Sequence, residues 1–173
     1  MGTKIMVAVV ALLAAGVAVA ADPVTVKAAL EPEGARKAAP EFRLSDSSGK
    51  TVTLKKYRGK VVLLDFWATW CHGCKEEIPW FAAFQKKYGA KGFAVVGVSM
   101  DDGGWGVLKP FLRDNKVPYR MLLGDEATGK NYGTDPLPDT FLIDRKGRIA
   151  AAYTTGLVDR EDVESNIRRL VGE

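Results

Sequence analysis

The chain has 173 residues, 47% of them hydrophobic and 27% charged, which suits one globular core and calls for no second domain. Its net charge of +4 is scattered, without blocks of Lys and Arg or interleaved aromatics, so nucleic acid is not an expected partner. The only two cysteines and the only histidine all fall within Cys71-His72-Gly73-Cys74.

Residues 1–21 carry one early lysine, Lys4, then an apolar stretch over 5–19, and small residues at Ala18, Ala20 and Ala21 that fit an A-x-A cleavage site. The apolar stretch, about 15 to 17 residues, is shorter than the ~20 of a spanning helix. Residues 1–21 therefore read as an export signal, with an uncleaved membrane anchor as the alternative. No cysteine lies near the end of the stretch, which argues against a lipoprotein anchor. Export places the protein in the periplasm or on the outer face of the cytoplasmic membrane, where disulfides persist. Residues 22–38, rich in Ala, Pro, Glu and Lys without a sustained period, read as a flexible linker. The folded domain is expected over 39–173.

Within that domain, alternation on either side of a Gly-containing loop predicts a hairpin over 40–54. Residues 61–66, apolar but for Asp65, form a β-branched and leucine run suited to a strand covered on both faces. From Lys75 the period becomes helical, with Ile78, Phe81, Phe84 and Tyr88 on neighbouring faces, Gly89 at the end and Pro79 as an interruption. A strand is predicted over 93–99, a helix over 103–115, a short strand over 121–124 and a short helix over 126–132. A second hairpin follows, 139–144 and 148–154 around Arg145-Lys146-Gly147, and a closing amphipathic helix over 159–171. The order predicts an α/β fold, a mixed central sheet flanked by helices.

The strand at 61–66 feeds almost directly into a helix, which puts Cys71 at the helix N-terminus. Free N–H groups and the macrodipole favour an anion there, and a thiolate is one. Two cysteines separated by two residues can close a small disulfide. A structural bridge generally closes a long loop, where the unfolded chain loses more entropy, so this one reads as redox-active. By the same placement Cys71 is the attacking thiol, and Cys74, one turn inside, resolves the mixed disulfide. Asp65 interrupts the apolar strand, so burial should raise its pKa. A partly protonated His72 would favour the Cys71 thiolate; the plainer alternative is an exposed spacer.

Asp65-Phe66-Trp67-Ala68-x-Trp70-Cys71-x-x-Cys74-Lys75 resembles the active-site segment of thioredoxins, and Pro79 falls where that family bends its first helix. Residues 137–144, Leu-Pro-Asp-Thr-Phe-Leu-Ile-Asp, resemble the segment that carries the family's cis-proline in its TlpA/ResA-like and cytochrome c maturation branches. The likeness extends over about 39–171. It implies a thioredoxin fold with an added N-terminal β-hairpin. It also implies that Asp65 relays a proton at the resolving cysteine, and that Glu77 matches an acid typical of the TlpA/ResA-like branch. Asp65 and Glu77 are both candidates for the base. Pro138 should be cis and face the disulfide, leaving the Leu137 backbone to pair with an incoming chain. Trp70, His72, Gly73, Leu137 and Asp139 make up the expected substrate-contacting set, with Asp139 resembling the acid of cytochrome c maturation members.

The activity implied is disulfide reduction in protein partners, apocytochrome c among them, with a membrane thiol–disulfide donor restoring electrons to a monomeric domain. No cofactor beyond the Cys71–Cys74 disulfide is expected. A thiol peroxidase is the enzymatic alternative, disfavoured because Thr69 stands only two residues before Cys71 and Pro-x-x-x-Thr-x-x-Cys is absent. A copper(I) carrier is the non-enzymatic one. Cys71, Cys74 and His72 are too few for structural zinc, and haem attachment needs a histidine where Lys75 stands; no metal site is expected.

Overall fold

A computed structural model describes residues 25–173. The export segment predicted over 1–21 lies outside them. Nine strands and four helices follow in order. These are β1 Thr25–Val26, β2 Arg43–Asp46, β3 Thr51–Thr53, β4 Val61–Trp67, α1 His72–Tyr88, β5 Phe93–Ser99, α2 Gly104–Asp114, β6 Arg120–Leu123, α3 Glu126–Tyr132, β7 Asp139–Ile143, β8 Ile149–Tyr153, β9 Leu157–Val158 and α4 Arg160–Gly172.

Seven strands form one mixed sheet in the order β3-β2-β6-β5-β4-β7-β8. β4 is parallel to β5 and antiparallel to β7, so the strand that leads to the cysteines is central and hydrogen-bonded along both edges. Every residue of β4 is buried, as its continuous apolar run requires. Side-chain alternation splits that run between two cores. Val61, Leu63 and Trp67 join Phe81, Phe84, Leu108, Val163 and Ile167 beneath α1, α2 and α4. Val62, Leu64 and Phe66 join Phe42, Leu54, Val96, Tyr132 and Phe141 beneath α3 and the first hairpin. That hairpin is no appendage: β2 pairs antiparallel with β6 and extends the main sheet. No helix among the described residues is long and apolar enough to cross a membrane.

The linker reading of 22–38 is corrected from Thr25 onward, because this stretch is fastened to the domain. β1 runs parallel to β9, Glu31 N–H donates to Ala150 C=O, and Ile149 N–H donates to Lys37 C=O. Arg36, only 8% exposed, donates to Asp144 Oδ2 at 3.3 Å and grips both carboxylate oxygens of Glu173 at 2.7 and 2.9 Å. Backbone pairing and one bidentate arginine need no hydrophobic period, so composition alone misread the stretch. Asp144 keeps Arg148 as a partner and Glu173 is partly exposed, so the loss of Arg36 is the loss of its charge-assisted hydrogen bonds, about 1.5–3 kcal/mol. Arg36→Ala should therefore lower the unfolding free energy in urea by that order, and an unchanged midpoint would return the segment to a loose tether.

Candidate active site

The end of β4 and the start of α1 are joined by Ala68, Thr69 and Trp70, and this short connection is held from the neighbouring strand. Met100 N–H donates to Trp67 C=O at 2.8 Å. Asp101, 7% exposed, accepts at Oδ1 from Thr69 Oγ1 at 2.6 Å and at Oδ2 from both Thr69 N–H at 3.0 Å and Ser99 Oγ at 2.8 Å. The sequence reading had no place for Asp101. The available signal was an acid two residues beyond Ser99, the residue in register with Trp67.

Cys71 is the N-cap of α1, its Sγ accepting from Cys74 N–H at 3.2 Å, so a sulfur satisfies one of the helix's free donors. The two sulfurs are bonded, with Cα atoms 5.4 Å apart. Cys71 retains 7% exposure and Cys74 none. Beside them Trp70 is 68% exposed. Gly73 lies against the next segment: a Cβ on it would stand 3.2 Å from Leu157 Cδ2. The His72 side chain faces solvent and its Nε2 lies 3.5 Å from Glu76 Oε1, an ion-pair partner one turn along α1.

The two predicted acids are both inside. Asp65 and Glu77 have no exposed surface. Asp65 Oδ1 accepts a long bond from Thr140 Oγ1 at 3.4 Å, and Oδ2 has no protein partner among the described residues. Burial pushes the Asp65 carboxyl well above its ordinary pKa, and the Glu77 charge adds to this, with Thr140 opposing. Glu77 Oε1 accepts from Val158 N–H at 2.7 Å, and Oε2 is likewise unpartnered. Burial raises Glu77 to about 8, against the pull of the Val158 bond. Among the described residues no Lys, Arg or His acts on either acid, so together they keep at least one proton at neutral pH.

Leu137–Pro138 is a cis peptide, as is Asp135–Pro136, which the sequence reading did not anticipate. Leu137 is half-buried and touches both cores. Asp139 is corrected: it is 1% exposed and accepts from Thr155 N–H at 2.9 Å, so it shapes a loop and does not meet a partner. Its pairing with Phe66 places it on the sheet face opposite Asp65, because opposed residues share a face.

A disulfide at a helix N-terminus, one sulfur still reached by solvent and the other wholly buried one turn before a buried acid, defines a thioredoxin-fold thiol–disulfide oxidoreductase. Residues 35–152 match the AhpC/TSA family, and the chain belongs to that family in its ResA-like branch. It is 35% identical to the thiol-disulfide oxidoreductase ResA of Bacillus thuringiensis subsp. konkukian over 136 residues, 78% of this chain and 77% of that one. With ResA of Geobacillus thermodenitrificans the identity is 33% over 133 residues, 76% of this chain and 75% of the relative. A crystal structure assigned to a thiol:disulfide interchange protein DsbE of Chlorobium tepidum superposes with a TM-score of 0.74 at 34% identity, covering 86% of this chain and all of that one.

The Glu77 value gives a stability prediction with a definite sign. The folded-state pKa of about 8 lies above the unfolded 4.5, so between those values the native state binds the extra proton. Stability is therefore highest near and below pH 4.5 on this account and falls as pH rises toward 8, by on the order of 5 kcal/mol. Glu77→Gln should flatten that slope between pH 5 and 8 in urea titrations; an equally steep slope in the variant would mean that Glu77 is not the group responsible.

Proposed function

We propose that this oxidoreductase works as a reductant of protein disulfides outside the cytosol, and that cytochrome c maturation is its setting. The observation that carries the reading is the asymmetry of the two sulfurs. Cys71 stands at the helix N-terminus beside exposed Trp70, where a partner chain can reach it, and Cys74 is wholly buried near the acids. Reduced Cys71 attacks a partner disulfide as the thiolate, and the partner leaves one sulfur behind in a mixed disulfide. Cys74 then passes its proton to a carboxylate, Asp65 or Glu77, attacks Cys71 Sγ, and releases the second partner sulfur. A membrane thiol–disulfide donor returns two electrons to the Cys71–Cys74 disulfide.

The names of the relatives support the reaction class, and the pattern of residues 1–21 supports the export. The resemblance of residues 137–144 to cytochrome c maturation members supports apocytochrome c as the partner. The peroxidase alternative would need a threonine hydroxyl near the attacking sulfur, but Thr69 Oγ1 is engaged by Asp101 at 2.6 Å.

Two measurements test this. The reduction potential should fall near roughly −270 mV, as for reducing thioredoxins, and a value near −120 mV, as for strong oxidants, would reverse the direction assigned. Cys74→Ser should accumulate covalent, reductant-sensitive complexes with envelope proteins that hold paired cysteines, whereas Cys71→Ser traps far fewer. Equal trapping by the two variants, read on non-reducing gels, removes Cys71 as the nucleophile.

A further inference from the structure

Among the described residues five buried side-chain atoms lack a protein hydrogen-bond partner: Asp65 Oδ2, Trp67 Nε1, Glu77 Oε2, Trp105 Nε1 and the Tyr119 hydroxyl. Each such atom left unpaired costs about 1–3 kcal/mol, so a set of five demands an explanation. Their placement supplies one. Trp67 and Tyr119 belong to the core beneath α1, α2 and α4, and Trp105 of α2 packs against it. Asp65 alternates with Leu63 and Trp67 and so faces that layer, and Glu77 enters it one turn after Cys74 on α1. Gly97 is in register with Asp65 on one side and Met121 on the other, and the space a side chain there would need is filled by Met121 Sδ and Trp67 Nε1. Three of the five atoms are donors and two are carboxyl oxygens. A layer holding both kinds, unpaired, suits ordered water, which satisfies two to four such groups at once.

We infer that Tyr119 is a positioning residue of this group: through ordered water its phenol donates a hydrogen bond to the Asp65 or Glu77 carboxylate that has to be ionised before Cys74 can yield its proton. Geometry and electrostatics select the phenol from the three donors. Tyr119 is 9% exposed, and it is the donor on which the charges of both Asp65 and Glu77 act; with burial they push its pKa well above the ordinary value. It therefore stays protonated and keeps its O–H as a donor. Tyr119 also lines a surface depression with Leu112, Val117, Arg120 and Met121. The other charged groups that act on the pair are the acids Asp139 and Glu76, and neither offers a donor.

The inference rests on the proposed role of the two acids as acceptors of the Cys74 proton. In that step the Cys74 S–H bond breaks and the proton moves to a carboxylate oxygen. The Cys74 thiolate then forms the bond to Cys71 Sγ, and the partner sulfur departs as a thiolate that solvent protonates. A hydrogen bond to the carboxylate keeps it ionised at lower pH. Without the phenol the carboxyl holds its proton to higher pH, and resolution near neutrality slows.

The test isolates the resolving step. Reduced protein is mixed with the aromatic disulfide 5,5′-dithiobis(2-nitrobenzoate), which caps Cys71, and expulsion of the second thiolate by Cys74 is followed by absorbance from pH 5 to 10. Tyr119→Phe should move the midpoint of that profile up by about one unit, a tenfold loss of rate below the midpoint. In the Asp65→Asn/Glu77→Gln background Tyr119→Phe should change nothing further. An unmoved midpoint, or an equal shift in that background, overturns the role of Tyr119 while leaving the acids in place. If Asp65→Asn and Glu77→Gln themselves leave the profile unmoved, the acid reading fails and this inference with it. Should Tyr119→Phe not fold, a high-resolution crystal structure of the unmodified protein decides: water bridging the phenol to a carboxyl oxygen is the result expected, and a phenol without such a bridge overturns it.

Discussion

Two carboxyls, Asp65 and Glu77, are taken out of water with no cation among the described residues acting on either, and much of the rest of the structure answers to that fact. Burying a lone carboxylate costs several kcal/mol, so the pair keeps at least one proton at neutral pH. The site tolerates them because the backbone around them is over-determined. Asp65 sits mid-way along a central strand bonded on both edges, and Glu77 is tied by Val158 N–H. Neither can turn outward to find water.

The same burial sets the chemistry of the two sulfurs apart. Cys71 takes the position that a serine or aspartate takes in an ordinary N-cap, where helix donors stabilise negative charge on sulfur. Cys74 lies one turn deeper, wholly buried, and near groups that bear negative charge whenever they ionise. Both influences oppose a thiolate at Cys74. A thiol is thus stable at that position until its proton has somewhere to go, and the acids are the groups within the same layer able to take it. The connection at Ala68, Thr69 and Trp70 has to be rigid for this division to hold, which is the work of Asp101.

Much of this was legible in the sequence. Continuous apolar runs marked β4 and β5, helical periods marked α1 and α4, and the cysteine spacing after β4 located the redox centre. Asp65 drew notice because an acid in an apolar strand is costly. What could not be read were interactions between stretches distant in the chain. Arg36 meets Glu173 and Asp144 across more than 100 residues, and Asp101 meets Thr69 across a strand pair. Tyr119 looks like any aromatic at the mouth of a strand until the fold buries it in the same core layer that Asp65 faces. Asp139 failed as a substrate contact for a related reason: alternation in β7 assigns it to the face away from Asp65, and β7's register is a property of the assembled sheet.

The segment 155–158 brings these strands of argument together. Its backbone N–H groups at Thr155 and Val158 are held by Asp139 and Glu77, two carboxyls whose pKa burial raises, one on each side of the sheet's central layer. Its Leu157 side chain lies where a Cβ on Gly73 would approach to 3.2 Å, so a side chain at that position before Cys74 would press on a segment more than 80 residues later. β1 closes the other edge of this segment by pairing with β9. The first turn of α1 is therefore shaped from two directions. The helix's own free donors fix the sulfur of Cys71, and a strap fastened by buried acids limits what can stand beside it. Proton loss from Glu77 would strengthen its bond to Val158, since a carboxylate is a better acceptor than a carboxylic acid. Proton movement at the acids is thereby coupled to how firmly the wall beside the disulfide is held.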